Sequence, residues 1–237
     1  MKKEQQPIRK ARNNHEDPEM YKQGKNIIVF VVLYVVLCVL VNSAVAQQRM
    51  YPIPKANLRN SNFDKMLSLG FDIDSAYKFV YLVEPSFSTE YCLTYDSINK
   101  SLLLCKSKSK VGIALSKSEN KRLRKKRLST YKLPVDDAYV DSLQSMFCAI
   151  INSASPDFRR SGFDGTSFLF FLPSDIYTVA DSWCPIDDSN CGRTVLLMER
   201  LCKAVENKDG ATAEQLREEI HSLTALFRSL PAVYYDH

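Results

Sequence analysis

Seven cysteines, three histidines and twenty-seven carboxylates are the side chains with chemistry to offer here, and their spacing decides which reactions are open. Cys92 and Cys105 flank the polar turn SINK in the stretch TEYCLTYDSINKSLLLCKSK. The arms on either side are rich in β-formers, so the stretch reads as a hairpin. With the turn centred between Ile98 and Asn99, opposed residues have numbers that sum to 197. That sets Cys92 directly against Cys105, both side chains on one face, as a disulfide candidate. Cys184 and Cys191 close the short loop CPIDDSNC as a second candidate pair, and Cys148 and Cys202, each in an expected helix, form a third pair or stay buried thiols. The plainer alternative is that all six serve as small hydrophobes. No CxxC occurs and no histidine neighbours these cysteines, so zinc-ligand spacing is missing and no metal or cofactor is expected.

Acid-base catalysis has little to draw on. His15 precedes a long apolar run, His237 is the last residue, and His221 sits one position off the apolar stripe of the final helix. A Ser-His-Asp or Cys-His site would have to use His221, and no nucleophile-elbow sequence accompanies it. Asp164, Asp187 and Asp188 are the carboxylates to consider for a glycosidase-like pair, although their spacing singles out no two of them. PIDDSN could bring Asp187, Asp188 and Asn190 to a calcium ion but lacks the full EF-hand spacing and reads more simply as a solvated loop. With only seven glycines, no phosphate-cradling fingerprint appears.

Charge is strongly segregated. From Lys106 to Lys132 eleven basic residues face Glu119 alone, a net of +10, while the rest of the chain after residue 46 carries −8. Lys121, Arg122, Arg124, Lys125, Lys126 and Arg127 are the densest part, a candidate surface for an anionic envelope component or a protein partner. Tyr131 is the one aromatic in the run, which gives bases little to stack on, and no nucleic-acid partner is expected. The competing reading is a solvated loop or edge strand whose lysines block aggregation and pair with the acidic remainder.

Compartment rests on IIVFVVLYVVLCVLVNSAVAQQ. Fifteen apolar residues from Ile27 to Val41 end in Asn42 and Ser43. Fifteen is short of the roughly 20 that cross a bilayer, and Ala44-Val45-Ala46 has the small residues of an export cleavage site. The 26-residue leader before it is long for an export signal, which favours a retained anchor or a start at Met20. Either way the basic flank stays inside and residues after 46 are exported to the periplasm or cell envelope, free after cleavage at Ala46 or held to the membrane through residues 27–46. The organisation expected is a basic tail (1–26), a signal or anchor (27–46), a linker (47–60) and one exported domain (61–237).

The elements that would position these groups follow from periodicity. SAYKFVYLVE, the two hairpin arms, STYKLPV, TSFLFFL and IYTVADSW read as strands. Val140, Leu143, Phe147, Ile150 and Ile151 fall on one helical face, with Asp136 or Asp137 as cap and Ser155-Pro156 as stop. Val195, Met198, Leu201, Cys202 and Val205 stripe a second helix that Gly210 would end. Thr212 and Gln215 resemble a capping box that opens a third, striped by Leu216, Ile220, Leu223 and Phe227. The fold class expected is α+β, a mostly antiparallel sheet packed with about three amphipathic helices and preceded by an N-terminal hydrophobic helix.

Asp164-Gly165-Thr166 leading into Phe168, then Trp183-x-Pro185, then a helix from about Arg193, resembles a pattern in small exported bacterial envelope proteins of unassigned function. The resemblance spans residues 162–205 and implies an envelope location without implying an activity. Taken on its own chemistry, Asp164-Gly165 reads as a tight turn with Gly165 at positive φ. Three tripeptides, Asp74-Ser75-Ala76, Asp96-Ser97-Ile98 and Asp141-Ser142-Leu143, resemble acceptors of a bacterial O-glycosylation system, the last inside an expected helix; Asn99-Lys100-Ser101 is an N-glycosylation sequon. Two functions compete: a non-enzymatic envelope domain that binds through its basic segment, and an envelope hydrolase using carboxylates.

Overall fold

The structure is a computed structural model and describes residues 31–34, 48–54, 78–108, 128–156, 164–172 and 178–231. The chain divides into two compact units, Met1–Ser43 and Ala44–His237. In the first, residues 31–34 are helical and exposed; the rest of the stretch expected to be a hydrophobic helix, and the tail before it, lie outside the described residues. Among the described residues no helix is long and apolar enough to cross a membrane.

The second unit is α+β. Seven strands, β1 (Tyr51–Pro54), β2 (Val80–Pro85), β3 (Tyr91–Asp96), β4 (Ser101–Ser107), β5 (Leu128–Pro134), β6 (Thr166–Phe171) and β7 (Thr178–Trp183), form one sheet in the order β1-β7-β6-β2-β3-β4-β5. Every neighbouring pair is antiparallel. The helices are α1 (Asp137–Ser153), α2 (Asn190–Asn207), α3 (Gly210–Gln215) and α4 (Arg217–Ser229).

Alternation along the strands sends Tyr81, Leu93, Leu104, Phe170 and Ala180 to one face, where they join the helices in a single core. There α1 packs on β6, β7 and α4, and α2 packs on β4 and β5. Aromatic rings tie the layers: Phe147 of α1 lies 4.9 Å from Phe79 and 5.1 Å from Phe170, centroid to centroid. Phe147 is fully buried, so Phe147→Ala costs about 3–5 kcal/mol. Val80, Leu82, Cys92, Cys105, Leu169 and Phe171 occupy the other face and are buried as well. Burial on both faces is why the central strands read as unbroken apolar runs such as FVYLV.

Helix α1 begins as expected, with the Asp136 side chain accepting from the Tyr139 amide at 2.6 Å, and all five residues of its stripe are buried. Four expectations are corrected. Residues 51–54 of the proposed linker form β1, paired with β7, whose ladder supplies partners that local propensity does not; residues 55–60 lie outside the described residues. Pro52 and Pro54 alternate, so both missing donors fall on one side of the strand, and that is tolerated only on the side facing away from β7. Among the described residues the second unit also has four helices where about three were expected. Lys208, at φ 56°, ends α2 in the left-handed region, and Gly210, expected to stop that helix, instead opens α3. Asp209, not Thr212, is the cap: its carboxylate accepts from the Thr212 amide at 3.0 Å and from the Thr212 hydroxyl at 2.5 Å, an aspartate being a stronger cap than a threonine that has itself become a donor.

Candidate functional site

Where β6 starts and β7 ends, three turns of chain are stitched together. The Ser86 amide donates to the Gly165 carbonyl at 2.7 Å, and the Gly165 amide donates back to Ser86 Oγ at 3.0 Å. The Cys184 amide donates to the Thr166 carbonyl at 3.0 Å, while the Thr166 amide donates to Cys184 Sγ at 3.1 Å. Cys184 takes φ 40°, a left-handed conformation that a side-chain-bearing residue seldom adopts. Gly165 does not have the positive φ expected of it. Its requirement is space: a Cβ there would stand 2.5 Å from Trp183 Cζ2 and 2.6 Å from Cys184 Sγ.

Pro185 and Ile186 then lead into α2, capped by Ser189, whose Oγ accepts from the Gly192 amide at 3.0 Å and donates to the Ile186 carbonyl at 2.6 Å. Between this cap and the strand ends lies a cavity of about 300 Å³. Its walls are the apolar Phe168, Pro185, Val195 and Leu196, and its polar groups are Thr166, Cys184 and Asp187. An apolar cleft edged by one thiol and one carboxylate can hold an apolar group.

The other carboxylates weighed for hydrolysis, Asp164 and Asp188, are exposed, as is Asp187. Asn190, weighed as a calcium ligand, is buried, and its amide donates to the Gln48 carbonyl at 3.3 Å, so it is turned to the backbone. His221 is exposed on α4. Among the described residues no group of three or more His, Cys, Asp or Glu could hold a metal ion.

All six cysteines of the domain stand as free thiols. Cys92 and Cys105 are opposed in the β3–β4 ladder, at the register the turn centre implied. Burial pushes the Cys105 and Cys191 thiols up to about 12, and raises Cys92 and Cys202 well above the usual thiol range. Cys184 is half-buried beside the cavity while Cys191 is sealed in the first turn of α2. Cys148 faces solvent on α1 and accepts from the Asn152 amide at 3.3 Å, whereas Cys202 is part of the core, so these two do not share surroundings.

The basic residues Lys121, Arg122, Arg124, Lys125, Lys126 and Arg127 lie outside the described residues, but both ends of their segment are placed. β4 and β5 pair from Ser101↔Pro134 to Ser107↔Leu128, so residues 108–127 connect two adjacent strands at one corner of the sheet. The flanking cations are already engaged: Lys106 Nζ lies 2.5 Å from Glu206 Oε2, and Lys132 Nζ 2.7 Å from Asp96 Oδ2.

Sequence reasoning missed a polar row beneath α2. Tyr91 and Lys106 are register partners on β3 and β4, and Glu199 and Glu206, seven residues apart on α2, reach them: Tyr91 Oη donates to Glu199 Oε1, and Lys106 pairs with Glu206. Burial and then the bond to Glu199 keep the Tyr91 proton on well beyond the usual phenol range. Tyr81 Oη, fully buried nearby, has no partner with hydrogen-bond geometry among the described residues; burial first, then its neighbours Tyr91, Cys202 and Glu199, raise its pKa well above the usual phenol range. The available signal was Glu199, Cys202 and Glu206 at i, i+3 and i+7, two acids on the edge of a buried stripe. Comparison with known proteins finds no matching family model, no matching curated protein and no matching solved structure.

Proposed function

We propose that this chain is an exported or membrane-anchored envelope protein whose folded domain is a non-enzymatic binding module, with the basic segment as its contact for an anionic envelope component. The observation that supports this reading is the β4–β5 register: Ser107 and Leu128 are partners, so the stretch that carries eight cations from Lys110 to Arg127 in the sequence leaves and re-enters the sheet at adjacent strand ends. The cations at the segment's flanks, Lys106 and Lys132, have acidic partners within the fold. A dense run of cations attracts polyanions through summed charge, and the attraction falls as salt rises. The mostly apolar lining of the cavity beside Cys184, with Asp187 as its one carboxylate among the described lining residues, supports binding of an apolar group.

Binding of the full chain to vesicles containing anionic lipid, or to acidic polysaccharide, tests this. Neutralising Arg122, Arg124, Lys125, Lys126 and Arg127 to Gln should weaken binding at least about tenfold at physiological salt and flatten its salt dependence. Binding unchanged by both salt and substitution would overturn it.

A further inference from the structure

The β3–β4 turn carries a chemical group that neither the core nor the cavity uses. Asp96 pairs with Ser101, so residues 97–100 form the tip, and all four are exposed. Side-chain hydrogen bonds tie the tip to its base. Asp96 Oδ1 accepts from the Asn99 amide at 3.0 Å, Oδ2 accepts from Asn99 Nδ2 at 2.6 Å and from Lys132 Nζ at 2.7 Å, and Lys100 closes the turn at φ 46°. This frame leaves Ser97 in solvent with Ile98 after it, an apolar residue that is 90% exposed.

The fold separates the motifs that the sequence left equivalent. In Asp141-Ser142-Leu143 the serine lies on α1 and donates to the Ala138 carbonyl at 2.9 Å, and Leu143 is fully buried. No enzyme can read that tripeptide without unfolding the helix. In the sequon, Ser101 is 2% exposed within β4 and Asn99 is occupied by Asp96. Asp74-Ser75-Ala76 lies outside the described residues. Among the described motifs, only Asp96-Ser97-Ile98 has its acceptor hydroxyl and its apolar third residue both in solvent.

We infer that Ser97 is a glycosylation acceptor, recognised through the exposed Ser97-Ile98 tip and presented by the Asp96 turn. The sugar donor is of the diphosphate-linked class. Ser97 Oγ attacks the anomeric carbon and forms the new C–O bond; the anomeric C–O bond to the diphosphate breaks with its electron pair leaving on the diphosphate; the hydroxyl proton passes to a base of the transferring enzyme. The inference rests on export, since the donor and enzyme belong to that route.

The test is intact mass and peptide mapping of the full chain purified from its own source, by fraction, for wild type, Ser97→Ala, Ser97→Thr, Ser142→Ala and Asn99→Gln. The expected wild type is heavier than its sequence by whole sugar residues; Ser97→Ala loses the whole increment, while the other three variants keep it. An exported wild type at its sequence mass, or an increment that survives Ser97→Ala, overturns the assignment and leaves export standing. An unmodified chain confined to the cytoplasm overturns both.

Discussion

Cys92 and Cys105 are register partners on adjacent antiparallel strands, each 2% exposed, on the sheet face opposite Leu93 and Leu104. Opposed residues in such a ladder have Cβ atoms about 4.5–5.5 Å apart, near the reach of a disulfide. Oxidative refolding should therefore give a chain lighter by two hydrogens with the bridge mapped to this pair, and Cys92→Ser should abolish it. Closing a loop of this length stabilises by about 3 kcal/mol. A bridge mapped between Cys148 and Cys202 would contradict the surroundings described for those two.

Two glycines make an internal control. A Cβ on Gly192 would stand 1.9 Å from the Ile186 carbonyl oxygen, while one on Gly210 meets nothing within 4 Å. Gly192→Ala should cost at least about 2 kcal/mol, because backbone must move. Gly210→Ala, at the first position of α3, should be neutral or stabilise by up to about 1 kcal/mol. Urea midpoints of the two variants measure both.

The hydrogen bond from Lys132 holds the Asp96 carboxyl at about 2, below its ordinary 3.8, and the Asn99 bonds act in the same direction. A depressed carboxyl contributes stability above its unfolded pKa and loses it as pH falls through the folded one. The contribution is thus full above about pH 5 and fades between about pH 4 and 2. Being a surface pair, it is worth about 1 kcal/mol. Denaturation of wild type and Asp96→Asn across that range should show a difference that closes toward the acid end; a constant difference would contradict it.

Tyr81 and Tyr91 should respond oppositely to loss of their hydroxyls. Tyr91→Phe strands Glu199 at a half-buried position and should cost about 1–3 kcal/mol. Tyr81→Phe removes a fully buried hydroxyl without a well-formed bond and should be neutral or slightly stabilising. Thermal denaturation of both variants separates them.

The legible parts of the fold were those fixed by local rules. A turn centre determines every pair in a hairpin, so Cys92↔Cys105 followed from the sequence alone. The stripes of α1 and α2 follow from a 3.6-residue period. What stayed hidden depends on distant chain. β1 has two prolines in four residues, and only the β7 ladder makes it a strand. Gly165 is required by Trp183, eighteen residues away, rather than by its own turn. The meeting of Glu199 with Tyr91 depends on how far α2 has slid along the sheet, and no periodicity encodes that distance.

The outermost strands are unequal. β5 presents seven residues with one proline at its end, whereas β1 offers four with its outward donors deleted by Pro52 and Pro54. Among the described strands, edge-to-edge joining of copies therefore has a single competent side. Two molecules could meet once through β5 and stop there, because the dimer would display only proline-blocked margins to a third. A third copy would meet no outward backbone donor on β1, so two ring nitrogens that cannot donate disfavour open-ended addition at that edge.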